Sequence, residues 1–400
     1  MISDSLLREI KGNLDNKKSD GTYKYERVIL GAQGGEIAVS GSESRILNFC
    51  SNNYLGLSSH PDVVMAAESA LKTHGFGMSS VRFICGCTDL HVELEKRISD
   101  FLLTEDSILF NSCFDANGGF FQSLLSEDDI IISASLNHAS IIDGVRLCRA
   151  KKALYAYNDM ADLKRVLLES SDRRIKVLVT DGVFSMEGDL APLDAISALC
   201  EEHNALLVVD DSHATGVLGH HGRGTAELMG VHEKVDMFTG TLGKALGGAT
   251  GGYISGKREL VDWFRNSSRP YLFSNSMAPA VVAGSIKSLD IVQSGEGEAL
   301  RLALADNTRY FRECMRDIGF QIRDGLHPIV PIMLGEASVA TGMADDLLSK
   351  EIYVIGFSYP VVPEGEARIR VQLSAIHSRE QIDRAVSAFS QSGKSYGVLS

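Results

Sequence analysis

The sequence predicts an α/β fold built on a mostly parallel sheet of seven strands, followed by a smaller α+β domain. Apolar, β-branched segments recur through the middle of the chain, and several are continuous, as in Leu206–Val209. Continuous apolar segments are typical of strands that are covered on both faces. Amphipathic segments such as His91–Leu102 lie between them. This alternation of strands and helices indicates an α/β domain.

The seven predicted strands are short and rich in Val, Ile and Leu. They are Ser107–Asn111, Asp129–Ser133, Ala153–Tyr157, Lys176–Thr180, Ala205–Asp210, Val235–Thr239 and Gly252–Ser255. Beyond Pro279 the pattern changes to long helices and a few shorter strands. These are the helices Ala280–Ser294, Leu300–Ile318 and Arg379–Gln391 and the strands Ile329–Met333 and Arg368–Leu373. We expect an N-terminal arm over residues 1–50, a large domain over 51–290 and a small domain over 291–400.

Composition limits the class of protein. A formal net charge of −13 argues against nucleic acid or an anionic membrane as the main partner. The polar N-terminus has no signal-peptide pattern, and no segment reaches the ~18–20 apolar residues that span a bilayer. The seven cysteines include no CxxC pair. We therefore expect a reduced, cytoplasmic protein.

Three familiar motifs fail on inspection. None of the Gly-x-Gly pairs continues into a dinucleotide-binding fingerprint. Gly243-Lys244 lacks both the first glycine and the Ser or Thr of a phosphate-binding P-loop. The eleven histidines contain no HExxH, so we expect no metal site.

Polar side chains follow the predicted strands where each one ends. The residues concerned are Cys113, Phe114, His138, Ser185, Asp210, His213 and Lys244. In open α/β sheets, ligands bind in the crevice outside the carboxyl ends of the strands. We therefore expect these side chains to form a single site.

Lys244 and Asp210 are the most informative of them. A lone lysine in a loop is most often a solvated charge, but Lys244 lies in a glycine-rich segment beside Leu242 and Ala245. Small, apolar neighbours favour a partly desolvated amine, suited to a Schiff base. Asp210 ends an apolar strand, where a buried acid needs a cation. That cation belongs to a structural salt bridge, to a metal, or to the pyridinium nitrogen of pyridoxal 5′-phosphate (PLP).

The two histidines admit two interpretations as well. A histidine in the setting of His138 is most often a semi-buried structural residue. Beside a PLP ring, His138 would instead stack on the π-face. His213 follows Asp210 by three residues, which would let it reach the phenolic oxygen along the edge of the ring.

The segments Asp210–Ala214 and Thr241–Gly248 resemble the α-oxoamine synthases, which are fold-type I PLP enzymes with an aspartate aminotransferase-like fold. Further matches to the family are Phe49–Leu57, Asp181–Glu187, Gly188–Pro192, Gly365–Arg370, Ser79–Gly86, Ser112–Gly119, Leu136–Arg146, Ser268–Ser276 and Tyr359–Pro363. Together they extend from Phe49 to His377 in family order. One departure is Cys87, where the family pattern has a threonine.

The resemblance implies a role for each matching residue. In the family, the lysine at Lys244 holds the cofactor and acts as the base, the acid at Asp210 pairs with the pyridine nitrogen, and the histidine at His138 stacks on the ring. The remaining expected roles are His213 and Ser185 near the phenolic oxygen; Cys113, Phe114 and Thr241 at the phosphate; Ser274 and Asn275 at the phosphate of the partner subunit of a homodimer; and Asn52, His138 and Arg368 at the substrate.

The resemblance also implies an acyltransferase reaction. The longer matching segments are most similar to members that join glycine to acetyl-CoA, giving 2-amino-3-oxobutyrate and CoA; the reverse reaction serves threonine breakdown. Sister enzymes that use another acyl-CoA and decarboxylate are the nearest alternative. A PLP-binding regulator without catalysis is a more distant one, because Lys244 and Arg368 are both present.

Overall fold

The structure is a computed structural model that describes residues 2–359 and 361–400. Met1, the first residue of the predicted arm, and Pro360, inside the matching segment Tyr359–Pro363, lie outside the described residues. In the part that is described, no helix is both long and apolar enough to cross a membrane.

The described residues form fourteen strands in three sheets. In chain order the strands are β1 (Ile29–Leu30), β2 (Glu36–Val39), β3 (Arg45–Asn48), β4 (Asp106–Phe110), β5 (Ile130–Ala134), β6 (Lys151–Tyr155), β7 (Lys176–Asp181), β8 (Leu206–Asp210), β9 (Met237–Thr241), β10 (Gly252–Gly256), β11 (Ile329–Gly335), β12 (Ile352–Tyr353), β13 (Gly356–Phe357) and β14 (Ala367–Gln372).

The same residues form fourteen α-helices and two short 3-10 helices, at Leu57–Ser59 and His232–Lys234. The α-helices are α1 (Asp4–Ser19), α2 (Pro61–His74), α3 (Asp89–Leu102), α4 (Cys113–Leu124), α5 (Ala139–Leu147), α6 (Met160–Glu169), α7 (Leu193–His203), α8 (Thr225–Leu228), α9 (Arg258–Ser267), α10 (Arg269–Phe273), α11 (Pro279–Val292), α12 (Gly295–Asp317), α13 (Ala337–Ser349) and α14 (Arg379–Ser395).

The seven predicted strands form one sheet with the order β4-β10-β9-β8-β7-β5-β6. The pairs β5–β6, β5–β7, β7–β8 and β8–β9 are parallel, and β10 is antiparallel to both of its neighbours. The predicted mostly parallel, seven-stranded sheet is therefore confirmed. Because β10 is the one reversed strand of this sheet, the carboxyl ends of the other six lie at the same edge.

The core beside this sheet explains why its strands are continuously apolar. Val208 of β8 and Ile131 of β5 pack in one buried cluster with Phe120 and Phe121 of α4 and with Phe264 of α9. Burying an aromatic or branched side chain contributes roughly 1.5–3 kcal/mol. This packing fixes the start of α4 against the carboxyl edge of the sheet, where Asn111 and the N-cap residue Ser112 connect the end of β4 to α4.

Two compact units divide the chain. One comprises Asn52–Ala305 and contains the seven-stranded sheet; the other comprises Met1–Ser51 together with Asp306–Ser400. In the second unit, β3 pairs in parallel with β12, so the N-terminal strands β1, β2 and β3 belong to a sheet that a C-terminal strand completes. The division into arm, large domain and small domain at residues 50 and 290 stays a prediction.

The predicted C-terminal helices are present with small shifts at their ends. α11 ends at Val292, and α12 begins at Gly295, ahead of the predicted start at Leu300. A side chain at Gly297 would come within 2.4 Å of the carbonyl oxygen of Ile291. This close approach explains the glycine at position 297, in the first turn of α12.

Candidate active site

Most of the predicted site residues line one cleft at the carboxyl edge of the seven-stranded sheet. These are Cys113, Phe114, His138, Asp210, His213, Thr241 and Lys244. The cleft has a volume of about 180 Å³, and Ser112, Ser140, Asp181, Val183 and Ser212 complete its lining. The expectation that the ends of separate strands converge therefore holds for these residues, and their individual roles stay predictions.

The first turn of α4 forms one wall of the cleft. The Ser112 hydroxyl caps the helix by accepting from the backbone N–H of Asp115 at 3.0 Å. Cys113 and Phe114 are the first two helical residues, so their N–H groups have no acceptor within the helix. A helix N-terminus of this kind binds phosphate well. Gly252 of β10 is required beside it, because a Cβ there would lie 2.3 Å from the Cys113 nitrogen.

Two buried carboxylates end the neighbouring strands β7 and β8. Asp181 and Asp210 are direct partners in the strand register, and each is 4% exposed. Asp210 accepts hydrogen bonds from the Asn117 amide at 2.6 Å and from the Ser212 N–H at 3.0 Å. Asp181 accepts one from the His138 N–H at 2.9 Å. Burial, followed by the negative charge of Asp210, raises the pKa of Asp181 well above its ordinary value.

A chain of side-chain hydrogen bonds connects His138 with Asp210. Nδ1 of His138 lies 2.7 Å from the Ser140 hydroxyl, which accepts from the Asn117 amide at 2.9 Å. The same amide donates to Asp210. His138 also caps α5 and is thereby fixed at the helix start. Its imidazole therefore contacts Ser140 of α5 directly and is connected to Asn117 of α4 through the Ser140 hydroxyl.

A second network contains His213. Its Nδ1 lies 2.8 Å from the hydroxyl of Tyr54, and this hydroxyl lies 3.5 Å from Oδ1 of Asn52. Asn52 was predicted to face the substrate, and here it is connected to His213 through one intervening side chain. Asn52 itself is not among the residues that line the cleft.

Lys244 follows β9 in a tight loop. The Thr241 hydroxyl accepts from the Gly243 N–H at 3.0 Å and donates to the Gly251 carbonyl at 3.1 Å, which anchors the loop to the neighbouring strand. Leu242 and Ala245 on either side are buried. The positive charge of Lys244 acts to lower the pKa of Asp181, against the larger effects of burial and of Asp210. Lys244 is therefore close enough to Asp181 to interact with it electrostatically.

Besides Asn52, four predicted site residues lie elsewhere. Ser185 is in the turn after β7, two residues beyond Val183 of the cleft lining. Ser274 and Asn275 line a separate, small cavity, where the Asn275 carbonyl accepts from the Asn111 amide at 2.8 Å. Arg368 belongs to the other compact unit and donates from Nη2 to the Glu366 carboxylate at 2.8 Å.

Sequence reasoning missed Asn117, Ser140, Asp181 and Tyr54, although each lies in a segment that resembles the family. Asn117 follows Cys113 by four residues, so both project from the same face of α4. That spacing was a usable signal. Tyr54 gave none, because 159 residues separate it from His213. Within residues 2–359 and 361–400, no group of three His, Cys, Asp or Glu side chains is placed to hold a metal ion.

The chain is similar to known proteins over its whole length. Residues 44–389 match the family described as aminotransferase class I and II. The chain is 52% identical to 2-amino-3-ketobutyrate coenzyme A ligase of Escherichia coli, covering 98% of this chain and 99% of that protein. It is 42% identical to 8-amino-7-oxononanoate synthase of Thermosipho melanesiensis, covering 96% and 97%. A solved serine palmitoyltransferase from S. paucimobilis, with bound PLP–myriocin, has a TM-score of 0.93 at 28% identity and full coverage of both chains.

Proposed function

The chain belongs to the class I and II aminotransferase family, as an α-oxoamine synthase, and from this premise we propose that it condenses glycine with acetyl-CoA. The products are 2-amino-3-oxobutyrate and CoA, and the reverse reaction splits 2-amino-3-oxobutyrate in threonine breakdown. The protein is a PLP-dependent acyltransferase with the fold-type I architecture. The observation that carries the specific reaction is the 52% identity to 2-amino-3-ketobutyrate coenzyme A ligase over the full chain.

The residues of the cleft fit PLP. A phosphate needs N–H donors and positive potential, which the first turn of α4 supplies at Cys113 and Phe114. A protonated ring nitrogen needs a buried carboxylate, and Asp210 is one. The cofactor aldehyde needs an amine, and Lys244 lines the same cleft. When bound, PLP supplies an electron-accepting ring that stabilises negative charge on Cα of the amino acid.

Each of these residues then has a definite task. Lys244 attaches the cofactor and, once released from it, takes the proton from Cα of glycine and holds it at Nζ. Asp210 keeps the ring nitrogen protonated, and the donors on Asn117 and Ser212 hold its carboxylate in place. His138 would stack on the ring of the bound cofactor, and His213 and Ser185 would lie near its phenolic oxygen. Thr241 contributes its hydroxyl at the phosphate.

Asn52 and Arg368 are proposed to face the substrate, and Arg368 is proposed to bind the carboxylate of glycine. The Arg368 side chain is fully buried, and its Nη2 already contacts the Glu366 carboxylate. A guanidinium in this setting suits bidentate binding of a carboxylate. Holding the carboxylate in this way leaves the Cα–H bond of glycine as the bond to break, so no carbon dioxide is released in that step.

A homodimer with shared active sites is part of the proposal. Phe83, Ile84 and Phe273 are large apolar side chains, each more than 60% exposed in the single chain. Phe273 directly precedes Ser274 and Asn275. The segment of Phe83 and Ile84 is joined to theirs by the Ser276 N–H, which donates to the Ser80 carbonyl at 3.0 Å. Exposed apolar groups clustered in this way typify an interface with another subunit. Ser274 and Asn275 would then reach the phosphate of the partner.

A cytoplasmic location stays part of the proposal. All seven cysteines are free thiols, which suits a reducing compartment. Fractionation of the producing cells tests it: the protein should be recovered with the cytoplasmic markers, and recovery with another compartment would contradict the proposal.

A product assay tests the reaction itself. Purified protein, loaded with PLP, is given glycine and a panel of acetyl-, propionyl-, succinyl- and pimeloyl-CoA, and CoA release and carbon dioxide are measured. We expect acetyl-CoA to be the best substrate and propionyl-CoA to be poorer, because one extra methylene in a fitted pocket costs ~10–200-fold. Preference for pimeloyl- or succinyl-CoA, with release of carboxyl-labelled carbon dioxide, would instead place the chain with its decarboxylating sisters.

A further inference from the structure

A second cavity lies at the amino edge of the seven-stranded sheet, away from the cleft. It has a volume of about 480 Å³, and its lining includes Lys176 and Leu206, which begin β7 and β8, and Asp236, which directly precedes β9. Asp181 and Asp210 end β7 and β8 at the other edge. At about 3.3 Å per residue, the length of β7 separates Lys176 from Asp181 by about 17 Å. A small ligand in this amino-edge cavity would therefore not reach the cleft.

Lys176 is a buried cation whose position in β7 turns its side chain toward this cavity. Val177 and Val179 of the same strand pack in the apolar cluster beside α4 and α9. Successive side chains of a strand point to opposite faces of the sheet, so Lys176 points to the other face. On that face α7 contributes Ser197 and Cys200 to the lining of the cavity.

The ammonium group of Lys176 is left for a ligand. The residue is 8% exposed, and within residues 2–359 and 361–400 its Nζ has no hydrogen-bond or ion-pair partner. Nζ is not fully enclosed, so it is accessible from the cavity. A largely buried charge without a partner costs free energy, which an anionic group placed beside it would offset.

Asp236 is an acid of the same cavity with one carboxylate oxygen to spare. Its Oδ2 accepts from the Leu207 N–H at 2.7 Å, and its Oδ1 has no hydrogen-bond partner within the described residues. Burial raises the pKa of Asp236, and the Leu207 N–H and the charge of Lys257 offset this effect only in part. A further cation beside Asp236 would therefore stabilise its charged form.

The other charges of the lining are already paired or exposed. The Lys234 ammonium lies 3.0 Å from the Glu201 carboxylate. The Arg174 guanidinium lies 2.7 Å from the carboxylate of Asp129, a residue beside the cavity. Glu233 is exposed. The two enclosed charges left for a ligand are therefore one ammonium and one carboxylate.

We propose that the amino-edge cavity binds a small zwitterion, an amino acid whose carboxylate contacts Lys176 and whose ammonium contacts Asp236. A simple anion would be attracted by Lys176 and repelled by Asp236, and a simple cation would meet the reverse arrangement. A ligand that carries both charges pairs with both residues. This site is separate from the proposed reaction and is not needed for it.

Isothermal titration calorimetry of the PLP-loaded protein tests the site. The aldimine is first reduced with borohydride, so that the cofactor stays attached and cannot react with an added amino acid. The probes are glycine, β-alanine and γ-aminobutyrate, which place the two charges at increasing separations, with acetate and methylammonium as single-charge controls. We expect saturable binding of at least one zwitterion and none of the controls over the same concentrations. No saturable binding of any zwitterion, or equal binding of acetate, would overturn the inference.

Two variants assign the binding to the cavity. Lys176→Met removes the charge and keeps the length of the side chain, and Asp236→Asn keeps an oxygen that can accept from the Leu207 N–H. We expect each to weaken binding of the zwitterion by about tenfold or more, the effect of one hydrogen bond to a charged group. Lys151→Met is the matched control, because Lys151 starts β6 at the same edge, is exposed and lies outside the lining. Binding to Lys176→Met as tight as to the control would overturn the inference.

Urea unfolding in buffer free of amino acids distinguishes a ligand site from a structural role. A largely buried cation without a partner costs stability when no ligand is present, so the unfolding midpoint of Lys176→Met should lie above those of wild type and Lys151→Met. A lower midpoint would make Lys176 a residue that supports packing and would overturn the inference. None of these measurements uses product formation from glycine and acetyl-CoA, so failure of the proposed reaction would leave their outcome unchanged.

Discussion

Replacing Asp210 by asparagine tests the carboxylate at the end of β8, because the change removes a charge and keeps the shape. The carboxylate is 4% exposed, and each of its oxygens faces an N–H donor. Oδ2 accepts from Asn117 at 2.6 Å, and Oδ1 accepts from the Ser212 N–H at 3.0 Å. In Asp210→Asn, whichever way the new side-chain amide is turned, its NH₂ group faces one of these donors, and that hydrogen bond is lost.

Two magnitudes follow from this environment. An unpaired buried donor costs about 1–3 kcal/mol, so the free energy of unfolding of Asp210→Asn should fall by that amount. A unit charge about 4 Å from a cationic ring nitrogen interacts with it by about 4 kcal/mol at an effective dielectric constant of 20. Since 1.4 kcal/mol is a factor of ten in rate, the upper bound is about 10³-fold. Loss of one preorganised charge usually costs ~10²–10³-fold, and we expect kcat to fall within that range.

The assay compares kcat, PLP affinity and urea unfolding for the wild type, Asp210→Asn and Asp128→Asn. Asp128 is exposed and lies outside the cleft lining, so its variant controls for the loss of one negative charge. We expect Asp128→Asn to behave as wild type. Turnover of Asp210→Asn within threefold of wild type, in a folded and PLP-loaded protein, would refute the reasoning and make Asp210 a structural acid.

Three further predictions concern attachment, assembly and pH. Borohydride reduction of the PLP-loaded protein followed by peptide mapping should label Lys244; labelling of another lysine would contradict the assignment. Mixing inactive Lys244→Ala with an inactive Ser274→Ala/Asn275→Ala variant should partly restore activity through hybrid dimers, and no recovery after confirmed subunit exchange would count against a shared site. Burial raises the pKa of Asp211 to about 7, so its folded form holds a proton that the unfolded form releases near pH 4. As the pH rises from 4 to 7, the free energy of unfolding of the PLP-free protein should therefore fall by up to about 1.4 kcal/mol per pH unit. Urea unfolding of Asp211→Asn should show a shallower fall over the same pH range, and a slope equal to that of the wild type would refute this.

The sheet was predictable because burial on both faces leaves a local signal. Leu206–Val209 and its counterparts are continuous apolar segments, and each of the seven predicted strands is present. The largest shifts have local causes. β6 is one of the two edge strands and starts at Lys151 and Lys152, both exposed, so apolar character did not mark its beginning. β9 begins at Met237, two residues after the predicted start at Val235. The Asp236 side chain is used there to accept a hydrogen bond from the Leu207 N–H at 2.7 Å.

The fold of the first fifty residues was not predictable in the same way. α1 has no buried side chain, and β3 acquires its parallel partner β12 from a segment about 300 residues later. Pairing of this kind depends on tertiary structure and leaves no periodic pattern in either segment. The same reasoning applies to strand order, since the order β7-β5-β6 cannot be read from three similar apolar segments.

The candidate site was predictable as far as it follows the ends of strands. Lys244, Asp210 and His213 each follow a strand of one sheet, so their convergence is a consequence of topology. The supporting groups are different. Asn117 and Ser140 lie on α4 and α5, and their contact depends on how these two helices pack. A Cβ on Gly144 of α5 would come within 2.4 Å of the Asn117 carbonyl, so a glycine at this position permits that packing.

The three acids at the ends of β7 and β8 give the site its charge. Asp181, Asp210 and Asp211 are all buried, and desolvation, with a further contribution from Asp210, raises the pKa of both Asp181 and Asp211. Asp210 is the acid that accepts from two N–H donors of Asn117 and Ser212, which stabilise a carboxylate. Burial therefore favours the protonated forms of both neighbours of Asp210. Asp211 also accepts two hydrogen bonds, both from Thr225, but it is not among the residues that line the cleft. Asp210 and Lys244 line the same cleft, and a buried carboxylate together with an amine matches a cofactor that carries a cationic ring nitrogen and an aldehyde. The position of Asp210 in the cleft, together with its N–H donors, therefore distinguishes it from the acid that follows it in the chain.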